Sequence, residues 1–226
     1  MKLVNIIFNY FKNVFNYLKD IFSKNKEYIG FNDANIKFDI LYNTAVHEAG
    51  HCCVAWSCSA VDNVDVIVDK TGGKTHFIIN YDMENKNFSI WCNLVILLAG
   101  PAAELIVYKK WRSGHSKSDL EKAIVLAETI DQSFIIPKFD GKSLKFSKIY
   151  RNNIDERTEE LLKQAYLQAK IIIKSYKNNF YSLASFTYYN NIITEKQIEI
   201  FLGKRFIHKI LRLCRPTFVY RGGVVS

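Results

Sequence analysis

The chain has 226 residues, enough for one domain with short appendages, and 49% of them are hydrophobic, which excludes a globally disordered protein. A net charge of +9 favours anionic partners. The basic residues are scattered until the C-terminus and carry no nucleic-acid-binding motif, so we expect no nucleic-acid partner. Five cysteines without a C-x-x-C pair or a secretory signal sequence predict reduced thiols in a cytosol.

The two ends of the chain have amphipathic patterns. Residues 1–25 place apolar side chains at helical spacing opposite lysines and asparagines, without the apolar length of a membrane span. This predicted helix lies either in a membrane interface or against protein. Residues 204–226 form a basic tail with a second amphipathic pattern, whose basic face is either solvated, as is usual, or binds anionic lipid. We expect the main domain at residues 26–203.

The most informative stretch is NTAVHEAGHCCVAWS, residues 43–57, which contains the H-E-x-x-H pattern. In a helix, His47 and His51 lie one turn apart on one face and can bind one zinc ion. Glu48 lies near the same side and can accept a proton from water beside the metal. Gly50 costs helix stability, which indicates that another segment packs close to its backbone.

The residues around this motif carry weaker signals. Asn43 or Thr44 is a suitable N-cap for the helix. Cys52 and Cys53 adjoin His51, but neither shares the face of the two histidines well. We therefore predict that both thiols pack in the core and do not bind metal.

A β-hairpin is predicted next, with strands at 64–68 and 75–80. The GGKT sequence at 72–75 resembles the end of a phosphate-binding loop. The glycine required five residues before Gly73 is Val68, however, and the segment leads into a strand. Nucleotide binding is therefore rejected.

Residues 87–108 form an apolar helical stretch that looks too short and too interrupted for a membrane span. Pro101 predicts a kink or a helix boundary within it. Glu104 lies among apolar residues and needs a partner, because an isolated buried carboxylate is costly.

A polar loop is predicted to lead into a helix that ends near residue 133. Ser116 or Ser118 is its expected N-cap, with Asp119 in the first turn. Further helices are predicted at 154–178, onward to 186, and at 194–202, where Thr194 is the cap.

Four motifs follow one another in a specific order: HEAGH at 47–51, the strand pair, AGPAAE at 99–104, and SGHSKSDL at 113–120. This order resembles the peptidase domain of FtsH-type membrane AAA proteases, over residues 43–202. The resemblance implies a mainly α-helical zinc-peptidase domain with a small β-hairpin sheet beside the HExxH helix. It also implies a polypeptide substrate.

The resemblance implies that His47, His51 and Asp119 bind Zn²⁺ and that Glu48 is the general base. It places Glu104 near the metal without binding it, where the carboxylate orients a histidine. Glu104 remains an alternative third ligand, since two histidines and a glutamate are a common set in zinc peptidases.

The chain departs from the family pattern at Ala99, Pro101 and Leu105. It contains no complete phosphate-binding loop, so we expect a peptidase domain that lacks the ATPase module of that family.

These observations predict a zinc-dependent endopeptidase of flexible or unfolded polypeptides, working without its own ATPase. We expect it in the cytoplasm, peripheral on a membrane through its amphipathic ends, with a separate unfoldase or further copies of itself as partners. The alternative is a zinc-binding, catalytically weak module that binds or regulates at a membrane. A non-enzymatic, membrane-associated helical protein is a third interpretation, supported by the amphipathic ends alone.

Overall fold

The computed structural model describes residues 40–81, 86–111, 114–130, 136, 155–176 and 178–205. The elements in chain order are α1 Ile40–Ser57, β1 Val61–Asp69, β2 Gly72–Ile79, α2 Lys86–Leu97, α3 Ala99–Tyr108, α4 His115–Glu128, α5 Glu156–Tyr176, α6 Asn178–Asn190, β3 Ile192–Ile193 and α7 Glu195–Leu202. The predicted mainly α-helical fold with a small sheet is confirmed. The predicted helix at 1–25, and the basic tail beyond residue 205, lie outside the described residues.

Helix α1 forms the centre of the domain. All of its residues from Asn43 to Ser57 are buried, and a helix buried all round needs neighbours on every side. It packs against α3, α5 and α6 and against the sheet. At Gly50, a Cβ atom would lie 2.6 Å from the Ala103 Cβ and 2.6 Å from the Ala99 carbonyl oxygen. The close approach predicted at this glycine is confirmed, and the approaching segment is α3.

The start of α1 differs from the prediction. The helix begins at Ile40, so Asn43 and Thr44 lie inside it and the predicted N-cap is wrong. The Thr44 hydroxyl donates to the Ile40 carbonyl oxygen at 3.0 Å. A threonine that bonds one turn back is satisfied within a helix and does not have to begin one.

The sheet has the strand order β2-β1-β3, with both pairings antiparallel. The predicted hairpin is present. The GGKT sequence forms the start of β2 and does not lead into a helix, which agrees with the rejection of a phosphate-binding loop. The third strand was not predicted, because the two residues of β3 are too few to show a periodic pattern. Val66 of β1 pairs with Thr75 on one side and Ile193 on the other. Strand β2 is therefore an edge strand of the described sheet.

The apolar stretch divides into α2 and α3 at Leu98. Pro101 lies in the first turn of α3, where its missing N–H leaves no helix bond unmade. The prediction of a helix boundary here is confirmed.

The expectation that this stretch is too short to span a membrane is wrong by length and composition, because Lys86–Tyr108 passes on both. However, 72% of its apolar window is buried inside the fold. The Trp91 indole also donates to Gln168 of α5 at 2.8 Å. These contacts agree with the predicted buried helix.

The C-terminal part of the described chain is tied back to the centre. Helix α7 begins after Thr194, the predicted cap, whose backbone N–H donates to the Gln197 side chain at 2.9 Å. The Trp56 indole of α1 donates to the Gly203 carbonyl oxygen at 3.1 Å, and the Arg205 guanidinium lies over the same ring. The C-terminal end of α1 is thus bound by the residues that follow α7.

Candidate metal centre

Helices α1 and α4 bring together three side chains that could bind a metal ion. The Nε2 atoms of His47 and His51 lie 2.8 Å and 3.0 Å from Asp119 Oδ2, and 3.0 Å from each other. Atoms bound to a tetrahedral zinc ion at about 2.0–2.1 Å lie about 3.3 Å apart. If these three atoms moved apart by a few tenths of an ångström, their separations would match those of atoms that bind one zinc ion. In the described part of the chain, this is the one such group of His, Cys, Asp and Glu side chains.

The other nitrogen of each imidazole has a partner of its own. His47 Nδ1–H donates to Glu104 Oε1 at 2.7 Å, and His51 Nδ1–H donates to the Ile96 carbonyl oxygen at 2.7 Å. These bonds select the tautomers whose Nε2 lone pairs point into the cluster. Glu104 also accepts a hydrogen bond from the Ser116 hydroxyl at 2.9 Å.

The two carboxylates lie on opposite sides of His47. Glu104 contacts Nδ1, whereas Asp119 contacts Nε2 and also reaches Nε2 of His51. Asp119 is therefore better placed than Glu104 to share a metal with both histidines. The partner that the buried Glu104 was expected to need includes His47.

The site favours a positive charge. Burial alone lowers the pKa of His47, but the hydrogen bonds to Asp119 and Glu104 outweigh it and raise this pKa to about 9. Burial would raise the pKa of Asp119, and the two imidazoles instead hold it well below its usual range. The positive charge can come from a proton on a histidine or from a metal cation. A metal dication balances the two nearby carboxylates better than a single proton does.

Glu48 borders the same site. Its side chain is buried, and its Oε2 accepts a hydrogen bond from the Thr75 hydroxyl of β2 at 2.8 Å. A Cβ on Gly73 would lie 2.6 Å from Glu48 Cγ, so the start of β2 leaves room for this side chain. A cavity of about 450 Å³ is lined by Glu48, by the three clustered side chains and by β2 residues 73–77.

Gly100 of α3 forms the floor beneath the imidazoles. A Cβ atom there would overlap ring atoms of both His47 and His51. The two imidazole rings thus explain why the second residue of the AGPAAE motif is a glycine.

The N-terminus of α4 corrects one prediction. The helix begins at His115, after Gly114, so Ser116 and Ser118 are not its caps. Ser116 is turned inward and binds Glu104, whereas Ser118 lines the cavity. Asp119 is the fifth residue of the helix and points to the histidines, which replaces the first-turn role considered from sequence.

Three residues of the site were not identified from sequence: Gly73, Thr75 and His115. His115 precedes Asp119 by four residues, the same spacing as the two motif histidines, so a helix beginning one turn earlier would have revealed it. Gly73 and Thr75 give no signal by themselves, because their role depends on how β2 packs on α1.

The cysteines beside the motif do not belong to the cluster of possible metal ligands. Cys52 and Cys53 are fully buried in the core, and burial raises both pKa values. The prediction that they pack in the core is confirmed. The four cysteines that the structure describes form no disulfide bond with one another, and Cys214 lies outside the described residues.

The model of Peptidase family M41 matches residues 41–201, which covers α1 through most of α7. The chain belongs to this family. M41 peptidases are zinc-dependent metallopeptidases, so the predicted cofactor and enzyme class agree with the membership. The match also agrees with the predicted FtsH-type peptidase domain. No curated protein matches the chain.

Proposed function

We propose that this M41 chain is an endopeptidase that hydrolyses peptide bonds in flexible or unfolded polypeptides, with Glu48 as general base and His47, His51 and Asp119 as zinc ligands. The observation that carries the proposal is the convergence of the three ligand atoms within 4.8 Å of one another, in a cavity that Glu48 also lines. Zinc held there supplies a Lewis acid that acidifies water and polarises a carbonyl group.

Glu48 handles the proton in this mechanism. Its carboxylate takes a proton from water as the water oxygen bonds to the carbonyl carbon. It then passes that proton to the amide nitrogen as the carbon–nitrogen bond breaks. The products are a carboxylic acid and an amine, and proton transfer between them gives a carboxylate and an ammonium group. Thr75 holds the Glu48 side chain for this role through the 2.8 Å hydrogen bond.

Substrate is expected to lie extended along the outer edge of β2. Residues 73–77 of this strand line the cavity, and β1 occupies its other edge. Backbone pairing to a strand edge gives affinity with little dependence on side chains. Such a site suits segments without stable structure, since a folded chain cannot present an extended strand.

The setting of the enzyme belongs to the same proposal. We infer a cytoplasmic peptidase that acts on accessible segments, or on chains delivered by a separate unfoldase or by an assembly of its own copies. Contact with a membrane would come from the amphipathic ends, which lie outside the described residues.

The test combines zinc content with cleavage of an unfolded protein. Glu48→Gln should keep zinc while its kcat falls by about 10²–10⁴, the usual contribution of a general base. Asp119→Ala should lose zinc, whereas Glu104→Gln should weaken zinc affinity by about 10–100-fold, because Glu104 acts on His47. Glu121→Gln is the matched control, an exposed acid on α4 paired with Lys117.

Two results would contradict the proposal. If Asp119→Ala retained zinc and Glu104→Gln lost it entirely, the ligand assignment would be reversed. If the wild type bound zinc and cleaved nothing, the catalytically weak binding module would be the better description.

A further inference from the structure

His115 lies beside the proposed ligands on the open side of the site. It begins α4 four residues before Asp119, so both side chains leave the same face of the helix. Its ring centre lies 5.9 Å from that of His47. A Cβ on Gly72 would lie 3.2 Å from its Cε1 and Nε2 atoms. The His115 ring therefore lies between the start of β2 and the metal centre.

Within the described residues, the His115 imidazole contacts the His47 ring but has no hydrogen-bond partner. It lines the same cavity as Glu48. His47 and His51, by contrast, each use both ring nitrogens. The His115 side chain is half-buried and borders the cleft, so its N–H can donate to a molecule held there.

Attack by water on a peptide carbonyl places negative charge on the carbonyl oxygen. Glu48 carries a proton and cannot neutralise that charge. Donors fixed near the oxygen beforehand contribute strongly, and removal of one typically costs about 10²–10³ in kcat. A donor at this position would complete the set of groups that the reaction needs.

Other donors line the cavity, namely Lys74, His76, Ser118 and Lys122. Lys122 is the strongest rival, because its Nζ lies 3.7 Å from Asp119 Oδ1. Its side chain is 63% exposed, however, and is held towards the carboxylate. The His115 ring is packed between Gly72 and His47, which fixes its position better than that of a long solvated chain.

We propose that His115 donates a hydrogen bond to the carbonyl oxygen of the scissile peptide as negative charge develops on it. Glu48 packs against Gly73 and His115 packs against Gly72, so the two side chains flank the glycine pair at which β2 begins. The proton acceptor and the oxygen-binding donor thus act from either side of a substrate on the β2 edge. This inference rests on the proposed peptidase function.

The test measures binding by zinc-loaded protein without turnover. The probe is a phosphinic peptide, whose tetrahedral anionic group replaces the attacked carbonyl, and the reference is the matching amide peptide bound to variants that also carry Glu48→Gln. His115→Phe keeps a ring and removes the donor. It should weaken phosphinic-peptide binding by about 100-fold, by analogy with the loss of one such donor, with amide-peptide affinity and zinc content unchanged.

Two further variants test whether the loss of affinity is specific to the donor at position 115. His115→Gln restores an N–H donor and should recover part of the affinity for the phosphinic peptide. Lys117→Gln is the matched control, because Lys117 lies on α4 with its side chain 73% exposed and outside the cavity lining. It should bind both peptides as the wild type does.

The proposal is overturned if His115→Phe binds the phosphinic peptide as tightly as the wild type, or if the affinity loss appears in Lys122→Met instead. Zinc loss in His115→Phe would make His115 a ligand and also overturn it. A wild type that does not bind the probe contradicts the proposal as well, even if cleavage of unfolded protein upholds the peptidase function. Conversely, if binding of the phosphinic peptide depends on His115 but the wild type cleaves no unfolded protein, the result supports His115 as a hydrogen-bond donor and contradicts the peptidase function.

Discussion

At the residue scale, the candidate metal centre depends on two glycines whose lack of a side chain leaves space for its histidines and for Glu48. Gly100 lies directly under the His47 and His51 rings, and Gly73 leaves room for Glu48. Both positions are set by the approach of a separate segment to α1. A single methyl group at either glycine would meet a side chain that the chemistry needs.

Gly100→Ala should reduce zinc affinity strongly, because a Cβ there overlaps both imidazoles and the rings must turn away from Asp119. Zinc content after dialysis against a weak chelator measures the effect. Gly114→Ala is the matched control: a Cβ at Gly114 has no neighbour within 4 Å among the described residues, and its backbone is already helical. Equal zinc retention in the two variants would show that the imidazoles can shift at no cost.

At the element scale, α1 and α3 pack closely against each other. Their backbones approach at Gly50, where the nearest atoms are the Ala103 Cβ and the Ala99 carbonyl oxygen. Helix α3 also supplies Gly100 and Glu104, so its distance from α1 sets both the space under the imidazoles and the His47 hydrogen bond. The packing of these two helices therefore positions the two histidines of the proposed metal site.

Gly50→Ala should lower the free energy of unfolding by about 1–3 kcal/mol, the usual cost of overpacking a dense core. Chemical denaturation measures the change. Ala103→Gly in the same chain removes one of the two clashes and should recover part of the loss, whereas the clash with the Ala99 backbone persists. Full additivity of the two changes would contradict a direct contact between these positions.

The sequence predicts what lies within one element better than what lies between elements. Helical periodicity was enough to place His47 and His51 on one face of α1, and the order of motifs pointed to Asp119 as the third ligand. Sequence could not show that Thr75 would reach Glu48, because that contact depends on the packing of β2 against α1. Ser116 was misassigned for a related reason: its hydroxyl binds Glu104 of another helix, so it is not used as a cap.

At the scale of the whole molecule, the metal centre joins distant parts of the chain. His47 and Asp119 are 72 residues apart, and the described elements between them include the hairpin, α2 and α3. An ion that binds all three side chains holds α1 and α4 together only when the domain is folded. Zinc binding is therefore coupled to folding.

Zinc should raise the thermal midpoint of the domain. At a free zinc concentration of about 100 times Kd, the stabilisation is about 2.7 kcal/mol. For a chain of this size, that corresponds to a rise in Tm of about 5–10 °C. Thermal unfolding with and without chelator measures it. Glu48→Gln should keep the full rise and His51→Ala should lose most of it; a full rise in His51→Ala would exclude this histidine as a ligand.

The two cysteines directly after His51 have a consequence for which metals the centre accepts. Their thiols are fully buried on other faces of α1, and their raised pKa values keep them protonated. Sulfur is therefore not expected among the donors, which in the proposed site are two nitrogens and one oxygen. Copper(I), which favours thiolates, gains no advantage from these neighbours, and discrimination among divalent ions falls to imidazole and carboxylate geometry.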